Sequence, residues 1–210
     1  MTILAYLLIT FAAGVAVGRA GASRFAGFQN RGERTVSRAI RANFASSDFH
    51  LLNHVTLRLA DGTTQVDHIL VSRVGVFVIE TKEYSGWIFG DAQQRNWTQV
   101  IFRQKFKFQN PLHQNHRHAS AVRALLDFMP ASVIRPVVVF VGTAEFKTDV
   151  PEAVFTLDGL VKHLRGLSEK VISANRVQFS VGRLEMARLE VSRLTDVEHV
   201  EDLRRRHGGA

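Results

Sequence analysis

Asp67-His68-Ile69-Leu70-Val71, a turn at Arg73 to Gly75, and then Val76-Phe77-Val78-Ile79-Glu80-Thr81-Lys82 decide how this chain folds. The first run is mostly apolar, and the second carries four consecutive large apolar residues before a polar end, the pattern of two neighbouring strands. Residues two apart in a strand point the same way, so Glu80 and Lys82 share one sheet face at the end of a buried strand, and Asp67 can approach from the partner strand. Two acids and a lysine so placed can form a divalent-metal site: carboxylates supply hard oxygen ligands, and the lysine can orient or help deprotonate a bound water beside a phosphodiester. The same residues can also be an ion pair at a solvated strand end.

Upstream, a first helix is expected from about Asn30 to Phe44, with Val36, Ile40 and Phe44 as its apolar stripe. Glu33 falls on or beside the core-facing side of its first turn, where an acid either serves the helix start through the dipole or belongs to a site. Strands are expected at Leu51–Leu59, Thr64–Ser72 and Val76–Lys82, a meander whose first turn is Asp61-Gly62. Further short strands are expected at Gly86–Phe89 and Trp97–Phe102, separated by Gly90-Asp91.

Phe102 to Phe108 alternates aromatic and basic residues, so an extended chain puts Arg103, Lys105 and Lys107 on one side. That side can track a phosphate backbone or be an ordinary exposed strand face. Asn110 and Pro111 form a helix start, followed by an apolar face of Leu112, Ala119, Val122 and Leu126. Gln114 and His118 share a different face at i, i+4. His113, His116 and His118 suggest zinc, but the helix offers no cysteine and only His113/His116 has same-face spacing in the cluster. The apolar run Pro136–Val141 suits a strand buried on both faces after a helical crossover. Val154–Leu157 reads as another strand, and Asp158 as the cap of a helix with Leu160, Val161, Leu164 and Leu167 inside. A last helix is expected from Thr195 or Asp196, before a basic Arg204–His207 tail. The expected fold class is α/β, with a mixed central sheet flanked by helices and an apolar helix at the N-terminus.

The 210 residues are 46% hydrophobic, enough for one sizeable core but too few for two ordinary domains plus a membrane segment. A formal charge of +8 suits an anionic partner, either nucleic acid or an anionic lipid surface. The absence of cysteine excludes disulfides and Cys-based zinc sites. Thr2–Gly18 is an uncharged run of 17 residues, near the lower limit for crossing a bilayer, and Arg19, Arg24, Arg31 and Arg34 all follow it. It reads as a single-pass anchor rather than a cleaved signal or a buried helix, with the bulk of the chain in the cytoplasm beneath the inner membrane. Gly14 and Gly18 have the spacing that can pack two such anchors into a homodimer. The expected organisation is an anchor at 1–18, a juxtamembrane linker at 19–29, a core at 30–145, and a strand and helices at 146–210 that complete the domain.

At these residues the chain resembles the NERD (nuclease-related) domain family of the PD-(D/E)XK nuclease superfamily. The resemblance runs in order through Gly32-Glu33, Val66-Asp67-His68, Gly75-Val76-Phe77-Val78-Ile79-Glu80-Thr81-Lys82, Gly86, Gly90-Asp91, Trp97 and Asn110-Pro111-Leu112-His113-Gln114, covering about residues 30 to 128. Val66-Asp67 stands where the superfamily writes Pro-Asp. The resemblance implies a restriction-endonuclease-like core and a Mg²⁺-dependent nuclease, with Mn²⁺ also possible, acting on nucleic acid, expected to be DNA. It implies that Asp67 and Glu80 hold metal with the Thr81 carbonyl, that Lys82 positions the attacking water, and that Glu33 and Gln114 complete the wall. The alternative is a module that keeps the fold with little or no turnover and binds nucleic acid or a protein partner at the membrane.

Overall fold

The computed structural model describes residues 30–189 and 200–201. The expected N-terminal apolar helix at 1–18, its Gly14/Gly18 pairing, the linker at 19–29, the helix start at Thr195 or Asp196 and the basic tail lie outside the described residues. Among the described residues, no helix is long and apolar enough to cross a membrane.

Helix α1 (Arg31–Asn43) starts at a capping residue, Asn30, whose Oδ1 accepts the Glu33 amide at 2.9 Å. Strands β1 (Phe49–Leu59), β2 (Gly62–Ser72) and β3 (Gly75–Phe89) form the antiparallel meander, with two-residue turns between them. β4 (Asn96–Ile101) and β5 (Gln104–Gln109) make a hairpin on the far end of β3. Helix α2 (Pro111–Leu125) then carries the chain across the sheet to β6 (Ile134–Phe146), which runs parallel to β3 on its other edge. β7 (Val154–Thr156), α3 (Leu157–Gly166) and α4 (Ala174–Ala187) follow. Among the described residues the result is a seven-stranded mixed sheet with helices on both faces.

The two faces bury separate cores. Leu52, Val55, Val66, Ile69 and Val78 pack with α2 and α4, whereas Leu70, Phe77, Ile79, Val137 and Val139 pack with α1 and α3. Each such side chain taken fully out of water stabilises the fold by about 1.5–3 kcal/mol. A third cluster fills the β4 end, where the Trp97 ring stacks on Phe140 with centroids 6.1 Å apart. Gly90 makes room for it, because a Cβ there would lie 2.3 Å from the indole.

Four sequence expectations change. Gly86–Phe89 is no separate strand but the end of the 15-residue β3, since β6 pairs with β3 continuously from Val76 to Ile88. Arg103 does not join the face of Lys105 and Lys107: it occupies the β4–β5 turn with Phe102, because the pairing of Ile101 with Gln104 closes a two-residue loop there. Thr156, not Asp158, caps α3, its Oγ1 accepting the Gly159 amide at 3.1 Å. Finally, α4 was not expected, because its buried residues are only Val177, Ser180 and Leu184, and Gly182 interrupts the helical pattern.

Candidate active site

β3 is longer than either strand beside it on one edge. β2 pairs with Gly75–Ile79 and β4 with Trp87–Phe89, so among the described residues Glu80 to Gly86 have no strand partner on that side. Side chains fill part of the opening. Asp67 Oδ2 accepts the Thr81 amide at 2.7 Å, and Gln99 Nε2 donates to the Ser85 carbonyl at 2.8 Å. A strand residue presents its amide and carbonyl to the same side, so the Thr81 carbonyl faces this opening too.

Asp67 reaches it because β1 and β2 lose their alternation together. Leu52 and Val55, like Val66 and Ile69, pack into one cluster although each pair is three residues apart. The ladder between these strands runs from Asn53–His68 to Val55–Val66 and is interrupted at His54 and Asp67, where His54 has a φ of 53°. Such a left-handed backbone is uncommon for a residue other than glycine.

Glu80 and Lys82 project from β3 as the period-2 reading requires. Lys82 Nζ donates to Glu80 Oε1 at 2.6 Å and to Gln114 Oε1 at 2.9 Å, joining β3 to the first turn of α2. Glu80 is 3% exposed, and its Oε2 stands 3.2 Å from His118 Nε2. Thr64 Oγ1, 2.7 Å from His118 Nδ1, fixes the ring from behind. Burial by itself would raise the Glu80 carboxyl, but Lys82 and His118 outweigh it and hold the group below its ordinary value. Burial likewise pulls against the Lys82 ammonium, and Glu80 with Asp67 overcomes it, so Lys82 titrates above its usual range.

The other acids behave in the opposite way. Burial, then the charges of Glu80 and Glu33, push the Asp67 carboxyl well above its ordinary value. Burial also raises Glu33, which is 8% exposed. Glu33 Oε1 accepts a hydrogen bond from Asn30 Nδ2 at 2.5 Å, while its Oε2 is buried with no hydrogen-bond partner among the described residues. The helix start can approach this closely because residue 32 is glycine: a Cβ there would lie 2.9 Å from Val141 Cγ2 and 3.0 Å from Glu83 Cβ.

The fold therefore gathers Asp67, Glu80, Thr81, Lys82 and Gln114 by direct contacts, with Glu33 near enough for its charge to act on Asp67. Lys105 and Lys107 stand apart on exposed β5, and Arg103 in its turn. Sequence reading missed His118 as part of the site, although its i, i+4 spacing from Gln114 carried the signal. It missed Asn115, whose Nδ2 donates to the Val78 and Val137 carbonyls at 2.9 and 2.8 Å and pins α2 across β3 and β6. It also missed Asn53, whose Oδ1 lies 2.8 Å from His68 Nδ1 and accepts from Ser37 Oγ at 3.1 Å. Nothing in local spacing marks either asparagine.

Comparison with known proteins places these residues in a family context. An uncharacterized protein of Bacillus anthracis is 44% identical over 97 residues, which are 46% of this chain and 45% of that protein. The chain thus spans less than half the length of the curated relative it matches. The nuclease-related domain matches residues 29–141, a stretch that contains Glu33, Asp67, Glu80, Lys82, Gln114 and His118. This protein belongs to the nuclease-related domain (NERD) family.

Proposed function

We propose that this chain is a metal-dependent nuclease with a PD-(D/E)XK-type site, hydrolysing phosphodiester bonds of nucleic acid, with DNA as the expected substrate. The observation that carries the reading is the buried Glu80 carboxylate held by Lys82 at 2.6 Å, beside Asp67, where the β2–β3 ladder stops. A purely structural ion pair gives no reason to crowd a second and a third acid against the first.

The donor chemistry fits Mg²⁺ or Mn²⁺. Among the described residues, no three His, Cys, Asp or Glu side chains form a metal cage. Mg²⁺ does not need one, since it commonly takes one or two carboxylates and completes its shell with water and substrate phosphate. Asp67 and Glu80 would supply those carboxylates, the Thr81 carbonyl a further oxygen, and the ion would offset the burial and the neighbouring acids that together raise Asp67. When bound, it would polarise the scissile phosphate and acidify a water.

The protein groups have separable roles. Burial is outweighed by Glu80 and Asp67, so Lys82 acts as an ammonium rather than a base, and among the described residues it engages two of its three donors, leaving the third for a phosphate oxygen or the attacking water. Gln114 holds the ammonium in place, and His118 with Thr64 fixes the far side of Glu80. The Thr2–Gly18 run would tether this site to the cytoplasmic face of the membrane, with Arg19 and Arg24 inside.

A cleavage panel on defined DNA and RNA, with and without Mg²⁺, tests the activity. Metal-dependent cleavage that vanishes in Glu80→Ala is expected, whereas metal-indifferent binding without cleavage would establish the non-catalytic alternative. Membrane partition after high-salt washing, with a reporter fused to the C-terminus, tests the tether.

A further inference from the structure

The β3–β4–β5 corner carries an exposed surface that the site chemistry does not use. Residues paired across antiparallel strands lie on the same face. Trp87 pairs with Val100, which pairs with Lys105, and Phe89 pairs with Thr98, which pairs with Lys107. Two parallel rows therefore cross the three strands, each running from an aromatic residue through a smaller one to a lysine. Trp87 is 49% and Phe89 36% exposed, and both lysines are exposed. The opposite face of the same strands is occupied, with Ile88 and Trp97 fully buried. The folding core has thus already taken one aromatic side of this corner, while Trp87 and Phe89 are left on the outside.

The spacing suits a particular polymer. The rows are two residues apart along each strand, roughly 7 Å, close to the length of one extended nucleotide, and strand spacing puts each lysine backbone about 10 Å from its aromatic partner. Bases stack on aromatic faces while cations follow the phosphates, and such contacts need unpaired bases. Lys147, paired with Glu145, adds a third cation with its Nζ 4.9 Å from the Trp87 ring centroid. Trp87 and Phe89 lie on β3 beyond the unpaired stretch that carries Glu80 and Lys82, and the alternation of the strand brings them out on the opposite sheet face.

We propose that the Trp87–Lys105 and Phe89–Lys107 rows are a stacking platform for single-stranded nucleic acid, which gives this protein a preference for single-stranded segments. The proposal rests on the nuclease reading for its biological sense, but binding is measured without turnover, so the two fail separately. Tryptophan occurs twice in the chain, and Trp97 is fully buried, so quenching of intrinsic fluorescence reports on Trp87.

The experiment titrates the full chain in EDTA with oligothymidylate, with a duplex of equal length, and with anionic phospholipid vesicles. Oligothymidylate is expected to quench the fluorescence and bind more tightly than duplex. Trp87→Ala and Phe89→Ala should each weaken single-strand affinity roughly tenfold with duplex affinity unchanged, and Trp87→Phe should restore most of it. Replacing Lys105 and Lys107 with Gln should lower the salt slope. Unchanged oligothymidylate affinity in both alanine variants, equal losses on duplex and single strand, or Trp87-dependent binding to vesicles alone would each overturn the platform. Loss of cleavage in all forms with the quenching intact would instead overturn the nuclease reading and leave the platform standing.

Discussion

Asp67 Oδ2 accepts the Thr81 amide at 2.7 Å, Asp67 standing one position and Thr81 two positions past His68 and Ile79, the last main-chain pair of β2 and β3. A carboxylate thus takes the place of a strand partner, and the same substitution brings Asp67 against Glu80. The sheet is opened where the acids meet.

Asp67→Asn should make the metal-free protein more stable at neutral pH by about 1 kcal/mol while abolishing cleavage. A carboxyl whose folded pKa is raised favours folding below its ordinary 3.8 and loses that contribution as pH rises through the folded value. The gain from asparagine should therefore disappear in acid. Denaturant melts of both proteins across pH, in EDTA, check this. Added Mg²⁺ should then stabilise the parent and not the variant.

Glu80→Ala and Lys82→Ala should each reduce cleavage by on the order of a hundredfold or more, as removal of a group that stabilises developing charge does. Their stabilities should diverge from the small change expected at a solvated strand end. Glu80→Ala leaves the Lys82 ammonium without its buried partner, and we expect a loss of about 3 kcal/mol. Circular dichroism alongside initial rates separates the two effects, and parent-like rates in both variants would remove these residues from the mechanism.

Gly32→Ala should displace the start of α1 and lower both stability, by about 1–3 kcal/mol, and activity. Its added methyl meets Val141 Cγ2 at 2.9 Å and Glu83 Cβ at 3.0 Å, neither at the end of a flexible chain. Gly182→Ala, in open space within α4, is the control and should stabilise the protein by up to about 1 kcal/mol. Thermal melts of the pair make the comparison, and a neutral Gly32→Ala would show that the helix start is not held against the sheet.

His68 should make the protein acid-sensitive. Burial lowers its imidazole from 6.5 to about 4, so the unfolded chain binds the proton first and stability falls as pH drops through that interval. The full effect is about 3 kcal/mol. Urea unfolding between neutral pH and pH 4 measures it, and a flat profile after correction for the carboxylates would show that the ring is not buried neutral.

The sequence by itself determined the meander, the burial of β3, the common face of Glu80 and Lys82, and the Asn110-Pro111 start that puts Gln114 in a first helical turn. Each depends on periods of two or 3.6 residues and on local capping, which the order of side chains records. Tertiary structure alone decided the rest. Period two cannot announce its own failure, so the slip at His54 and Asp67 was invisible, and so was the hydrogen bond that carries Asp67 to Thr81. Arg103 illustrates the same limit: alternation put it with Lys105 and Lys107, and the register of Ile101 with Gln104 moved it into the turn. His118 and Asn115 came to Glu80 and to the β3–β6 ladder only because α2 lies across the sheet. Crossing helices are placed by packing between elements far apart in the chain, and no local pattern encodes that distance.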